Sequence, residues 1–172
     1  MSESLRLLTD DSLLGQCRWD VFRGSGPGGQ KRNKTSNAVR LVHERTGIAV
    51  TATESRSLAE NKLWAVRRMR IKLAADLREP IDLARFEAPD WFCAIRNNRR
   101  IEASHRHPLY AATAGLMLDL LAALAGNPAA VAVNLGVSTT AVIRLLQNET
   151  PWWATANRIR NEFGLPVLSQ HR

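Results

Sequence analysis

Two hydrophobic rhythms run along this chain. The segment Cys17-Arg18-Trp19-Asp20-Val21-Phe22 alternates apolar and polar positions and predicts a strand. Val39 to His43 and Ile48 to Thr53 predict two more, joined by a Thr46-Gly47 turn where glycine supplies a left-handed position. Ahead of them, Thr9-Asp10-Asp11-Ser12-Leu13-Leu14 predicts a capped helical turn, and Asn33 to Ala38 suggests a short helix. At residue 57 the period changes. Ser57-Leu58-Ala59-Glu60 has the form of a capping box. Ala59, Leu63, Val66, Met69, Leu73 and Leu77 then recur at three- and four-residue steps, a stripe expected to pack on the sheet until Pro80 ends the helix. Arg67, Arg68 and Lys72 fall off that stripe, towards solvent or a ligand, while Arg70 falls near it and is left unassigned.

Residues 80–106 contain Pro80, Pro89 and the polar run Arg96-Asn97-Asn98-Arg99-Arg100, and read as a linker with partial structure. Beyond His107-Pro108 the chain becomes rich in Ala and Leu, and only helices are expected there. Leu109 to Ala125 form one amphipathic stretch, Pro128 opens another, and Trp152 to Phe163 form a later one. Ala132, Gly136, Val137-Ser138 and Val142 have helix-turn-helix spacing: a small residue, a glycine at the turn, a capping serine, an apolar anchor. Leu116, Leu120, Leu124, Val131, Leu135, Val142, Leu145 and Ile159 form the expected core of this part. The expected class is α+β: a small domain over residues 1–79 of mostly antiparallel strands and one long helix, a linker over 80–106, and an all-α helix-turn-helix-like domain over 107–172.

Composition narrows the function classes. The 172 residues carry 24 Lys+Arg against 16 Asp+Glu, a formal net charge of +8, with 45% apolar residues. That apolar content supports one or two packed cores rather than a disordered chain. No apolar run reaches the length of a membrane span, the N-terminus has no signal-peptide pattern, and two cysteines make no disulfide framework. A cytoplasmic, monomeric protein without membrane attachment is expected. The charge is concentrated: residues 23–72 have twelve basic and three acidic side chains, whereas residues 111–172 are only +1. Such a density points to a polyanion, most simply nucleic acid, although a solvated basic surface is the plainer alternative.

The candidate chemistry lies at the start of the basic segment. A strand leads into Gly24-Ser25-Gly26-Pro27-Gly28-Gly29-Gln30, followed by Lys31-Arg32-Asn33-Lys34-Thr35-Ser36-Asn37. Glycines allow close backbone approach to a ligand, and the cations after them suit phosphates. The Gln30 amide has no useful pKa and cannot be a general base. Chemistry here has to come from positioned backbone N–H groups and a placed water. No P-loop signature occurs. The plain alternative is an ordinary glycine-rich turn.

These residues, with Thr46-Gly47-Ile48 and Arg56-Ser57 through Asn61-Lys62 downstream, resemble the catalytic domain of class I peptide chain release factors over about residues 10–78. The chain resembles in particular the short rescue-type members, peptidyl-tRNA hydrolases that free stalled ribosomes. The resemblance implies that Gly28, Gly29 and Gln30 act in the peptidyl transferase centre of the large subunit. The Gln30 N–H would stabilise the oxyanion or the leaving 3′-hydroxyl, and its side chain would shape the water site. It further implies that Arg23, Ser25, Gly26, Pro27, Lys31, Arg32, Asn33, Lys34, Thr35, Arg67, Arg68 and Lys72 hold ribosomal RNA or tRNA. A glutamine methyltransferase acting on Gln30 is an implied partner, beside the ribosome and its P-site peptidyl-tRNA. The codon-reading domain has no counterpart in this sequence, so the resemblance implies stop-codon-independent release. Lys31-Arg32 stand where bacterial factors usually have His-Val, and the last residues, Leu165 to Arg172, do not resemble the Lys/Arg-rich tail of short rescue factors.

Two readings from other classes accompany this one. The helical part would be a nucleic-acid-binding regulator, with Ser138, Thr139, Thr140 and Arg144 as groove contacts, or the chain would be a non-catalytic large-subunit binding factor. The single cation in Ser138 to Gln147 argues against a DNA reader, which typically neutralises roughly 6–10 phosphates. His105, His107 and Cys93 lack a fourth partner for a structural metal, and neither metal nor cofactor is expected. Trp152 and Trp153 read as core, and Trp64 as core edge or a base-stacking platform.

Overall fold

The computed structural model describes residues 4–23 and 37–169. The chain divides into two compact units, residues 1–73 and 74–172, and the division falls inside one long helix. Helices and antiparallel sheets coexist, so the class is α+β.

In the first unit, the Thr9 hydroxyl accepts the Ser12 N–H at 3.2 Å and caps helix α1 (Asp10–Leu14). Strands β1 (Cys17–Phe22), β2 (Ala38–His43) and β3 (Ala49–Ala52) form an antiparallel sheet in that order. Register places Trp19 beside Leu41 and Val21 beside Val39, with Val50 and Ala52 completing the rows. Paired residues share a face, so one face is apolar, and its Val39, Leu41 and Ala52 are fully buried. The other face carries Arg18, Phe22, Arg40 and Thr51, all exposed. At the hairpin turn, the His43 N–H donates to the Ile48 carbonyl at 2.8 Å and Gly47 sits at φ +70°.

Helix α2 (Leu58–Asp76) follows a modified capping box. The Ser57 hydroxyl accepts the Glu60 N–H at 3.3 Å, but Glu60 reaches the Ser55 hydroxyl, and the Ser57 N–H donates to Ser55 Oγ at 2.9 Å. The buried row of α2 differs from the expected stripe. Asn61, Ala65, Met69 and Leu73 face inward, whereas Ala59 is exposed, Val66 half-buried and Leu63 73% exposed. The cause is Asn61, whose amide is fully buried and satisfied by backbone groups, so the helix turns a polar residue inward and Leu63 outward. Arg70, unassigned from the sequence, donates through Nε to Asp10 at 2.8 Å and through Nη2 to the Leu8 carbonyl at 2.8 Å. It ties the N-terminal segment to α2.

The second unit contains α3 (Asp90–Cys93), a hairpin of β4 (Arg96–Asn97) and β5 (Arg100–Ile101), and helices α4 (Tyr110–Ala123), α5 (Pro128–Leu135), α6 (Thr139–Gln147) and α7 (Thr150–Glu162). The segment expected as a partly structured linker thus supplies α3 and the hairpin, with Phe92 and Ile95 buried. Its turn residues Asn98 and Arg99 are both left-handed, at φ +45° and +62°. Arg78 donates to the carbonyls of Ala74 and Ala75 at the end of α2 and to the buried Asp119 carboxylate at 3.0 Å, which also accepts the Glu79 N–H at 3.1 Å. The core is filled by Met117, Leu118, Leu120, Leu121, Val131, Leu135, Val142, Leu146, Trp152 and Ile159. Leu116 and Leu124 are only half-buried. Helix α4 is buried almost all round, so no single stripe marks its inner face. Trp152 stacks at a tilt on Tyr110, ring centroids 4.7 Å apart, and Trp153 is half-buried.

Helix α5 starts where the Asn127 side chain accepts the N–H groups of Ala129 and Ala130, with Pro128 at its first position. It stops at Gly136, φ +64°, and after the Ser138 cap the chain continues in α6, bent by 110° from α5. Among the described residues no single helix is long and apolar enough to cross a membrane.

Candidate functional site

Strands β1 and β2 pair out to Phe22 with Ala38. The chain between them leaves and re-enters one end of the sheet at adjacent strand positions, about 5 Å apart by the geometry of such pairs. This segment carries Gly28, Gly29 and Gln30, together with Ser25, Gly26, Pro27, Lys31, Arg32, Asn33, Lys34 and Thr35. All of these lie outside the described residues, as does most of the short helix expected from Asn33. Ala38, the last residue of that expected helix, belongs to β2. Arg23, the last described residue before the loop, is exposed.

The return of the loop is held by Asn61. Its Nδ2 donates to the Asn37 carbonyl at 2.6 Å and to the Ser55 carbonyl at 2.8 Å, and its Oδ1 accepts the Ser55 N–H at 3.0 Å. Three bonds use most of the capacity of a primary amide. One buried side chain therefore joins the start of α2, the segment before it and the chain entering β2. Sequence reasoning quoted Asn61 only as part of a motif. A polar residue in line with Ala65, Met69 and Leu73 was the signal for its role.

The first turns of α2 present a mixed cationic and aromatic surface. Lys62 Nζ stands 5.4 Å from the Trp19 ring centroid, and the Arg67 guanidinium 5.7 Å from that of Trp64. Trp64 is 45% exposed and is not core. Arg68 is committed within the unit: it donates to the Thr51 carbonyl and pairs with Glu54. Burial pushes the Glu54 carboxyl up, but hydrogen bonds from Arg68 and from backbone N–H groups outweigh it and leave the group below the ordinary carboxylate value. Lys72 is half-buried. His43 is fully buried, its Nδ1 paired with the Thr46 hydroxyl at 2.8 Å. Burial, then the charge of Arg45, pushes its pKa below the ordinary imidazole value.

These elements coincide with a known pattern. The RF-1 domain family matches residues 14–92, a span that includes the loop, the sheet and all of α2. Over this span the chain is similar to the class I release-factor domain. The chain is 46% identical over 67 residues to peptide chain release factor 1 of Parafrankia sp., covering 39% of this chain and 19% of that protein. It is 51% identical over 59 residues to peptide chain release factor 2 of Mycobacterium avium (34% and 16%), and 50% over 62 residues to that of Rhodococcus erythropolis (36% and 17%). It spans less than a fifth of the length of these curated relatives.

Outside the RF-1 domain, the residues expected at a helix-turn-helix divide by environment. Ser138 caps α6, its hydroxyl accepting the Ala141 N–H at 3.1 Å, and Thr139 is half-buried. Thr140 and Arg144 are exposed, one helical step apart on the same side of α6. Sequence reasoning missed what lies against this turn. Arg96 Nη1 donates to the Leu135 carbonyl at 2.9 Å, and the Ser138 N–H donates to the Arg99 carbonyl at 2.9 Å. Among the described residues no group of three or more His, Cys, Asp or Glu side chains is placed to hold a metal. His107 Nδ1 accepts the Leu109 N–H at 3.1 Å, and Cys93 Sγ lies 3.5 Å from the Ala88 carbonyl it faces.

Proposed function

We propose that the chain is a ribosome-dependent peptidyl-tRNA hydrolase that releases the nascent peptide without reading a stop codon. The observation that carries the reading is the release-factor match over residues 14–92, which includes Gly28-Gly29-Gln30. In this reading the paired ends of β1 and β2, with Asn61 holding the return, aim the loop into the peptidyl transferase centre. The Gln30 backbone N–H stabilises the charge that develops as water attacks the ester carbonyl. The Gln30 side chain confines the nucleophile to water, and Gly28 and Gly29 provide close approach. Lys31, Arg32, Lys34 and the α2 cations Lys62 and Arg67 grip ribosomal RNA phosphates. Domains over residues 1–79 and 107–172, an N-methylated Gln30 and a cytoplasmic monomer complete the proposal.

The test is peptide release from purified ribosomes carrying peptidyl-tRNA in the P site, with a stop codon, a sense codon or no codon in the A site. Equal release in all three, lost on Gln30→Ala, is expected. Release confined to stop codons would overturn codon independence, and no release in any state would favour the non-catalytic binding factor. Mass spectrometry of the purified chain checks for the methyl group on Gln30.

A further inference from the structure

Taken alone, residues 111–172 are a poor phosphate ligand at +1. The fold changes that charge count, because the arginine hairpin comes from outside the segment and bonds directly to the α5–α6 turn. The Arg99 carbonyl accepts the Ser138 N–H, and Arg96 reaches the Leu135 carbonyl over Gly136. A Cβ at Gly136 would stand 2.5 Å from Arg96 Nη1, so the glycine makes room for the guanidinium. Arg99 and Arg100 are exposed at the tip, next to the α6 N-terminus. Arg144 lies six residues beyond Ser138, about 9 Å along the helix axis. Among the described residues, the side chains of Arg99, Arg100 and Arg144 have no ion-pair or hydrogen-bond partner. The acidic side chain at the hairpin, Glu102, is held by Asn97 Nδ2 at 2.7 Å. Arg99 also occupies a left-handed backbone that glycine takes at lower cost, and no contact of its side chain within the unit offsets this.

We propose that the arginine hairpin and the α5–α6 turn together form a docking face for the backbone of double-helical RNA. No exposed large apolar or aromatic side chain lies on the hairpin or on α6, so the face has no stacking platform for single strands. The first turn of α6 presents Ser138, Thr139 and Thr140, without the Asn, Gln or Arg that would read base edges in a B-form major groove. Cations and hydroxyls suit the phosphates and 2′-hydroxyls of an A-form helix. The choice of RNA over DNA also rests on the ribosomal role proposed above; the face itself does not.

The test uses the full chain and fluorescein-labelled duplex RNA of about 20 base pairs, the matching DNA duplex, and the single RNA strand, read by anisotropy across a salt titration. Arg100→Glu with Arg144→Glu should weaken duplex RNA binding at least tenfold and lower the salt slope by roughly 1.4–1.8, the loss of two phosphate contacts. The control pair Arg85→Glu with Arg158→Glu makes the same charge change at residues that bond to neither hairpin nor turn, and should stay within about twofold of wild type. Circular dichroism checks folding, and Arg100→Gln with Arg144→Gln provides a milder pair. Equal losses in test and control pairs, no loss in the test pair, or tighter binding of duplex DNA than of duplex RNA would each overturn the proposal. Peptide release by the wild-type chain is scored separately. A selective binding loss in a chain that releases no peptide keeps the face and sinks the hydrolase reading; release without the selective loss does the reverse.

Discussion

The two units gather their cations in opposite ways. In the first, the charges are close in sequence: twelve basic residues fall within residues 23–72, on and after one loop. The fold needs only to hold the two ends of that loop together, through the Phe22–Ala38 pair and the buried Asn61 amide. In the second, the basic run Arg96 to Arg100 and the cation Arg144 lie more than forty residues apart in sequence. The cationic face exists only because a hairpin about forty residues upstream bonds to the Leu135–Ser138 turn, through the Arg96 guanidinium and the Arg99 carbonyl. A site of the first kind is legible from local composition and tolerates change in its scaffold until the anchor breaks. A site of the second kind is invisible to a charge count and depends on a few backbone contacts.

The comparison can be broken hardest at the loop. Gly29→Ala is expected to lower peptide release at least about a hundredfold while ribosome binding stays within about twofold, since an added Cβ displaces donors that must meet the ester within ångströms. Single-turnover release and a pelleting assay read the two effects; undiminished release would remove the catalytic role of the loop. The anchor comes next. Asn61→Leu leaves the Asn37 and Ser55 carbonyls and the Ser55 N–H without their partner, and should destabilise the first unit by about 2–4 kcal/mol. Hydrogen exchange should report faster opening of β1–β3, with the amides of α4–α7 unchanged; uniform acceleration would contradict two separable units.

A smaller effect is expected in the second unit. Gly136→Ala forces a side chain into a left-handed position and against Arg96, for about 1–2 kcal/mol measured by urea unfolding. The smallest concerns pH. His43 has its folded pKa lowered from 6.5, by burial first and Arg45 second. The unfolded chain therefore binds a proton that the folded unit resists. Stability from this group is full above pH 6.5 and declines as pH falls below it, by at most about 1.4 kcal/mol per pH unit. His43→Gln should flatten that decline in urea midpoints, and an unchanged slope would assign the acid sensitivity to other groups.

Legibility followed the range of the interactions involved. The strand over Cys17–Phe22, the cap at Thr9, the left-handed Gly47 and the Pro128 and Ser138 helix starts were all readable, because each depends on residues within a few positions. The inner face of α2 was misjudged. Hydrophobicity placed Leu63 inward, but three backbone bonds to Asn61 outweigh one leucine at the helix start. The hairpin over Arg96–Ile101 passed as a linker because its turn uses Asn98-Arg99 rather than a glycine pair.

By itself, then, the sequence determined the α+β class, the release-factor resemblance and the concentration of charge around Gly28-Gly29-Gln30, since composition and short-range periodicity suffice for each. The tertiary structure decided which face of α2 is buried, which cations are committed within the fold, as Arg68 is to Thr51 and Glu54, and which are exposed. It also decided that Arg96 and Arg99 meet the α5–α6 turn. Those outcomes depend on hydrogen bonds between residues some 17 to 39 positions apart. No local pattern of hydrophobicity encodes such bonds, because their partners are backbone carbonyls and N–H groups that every residue carries alike.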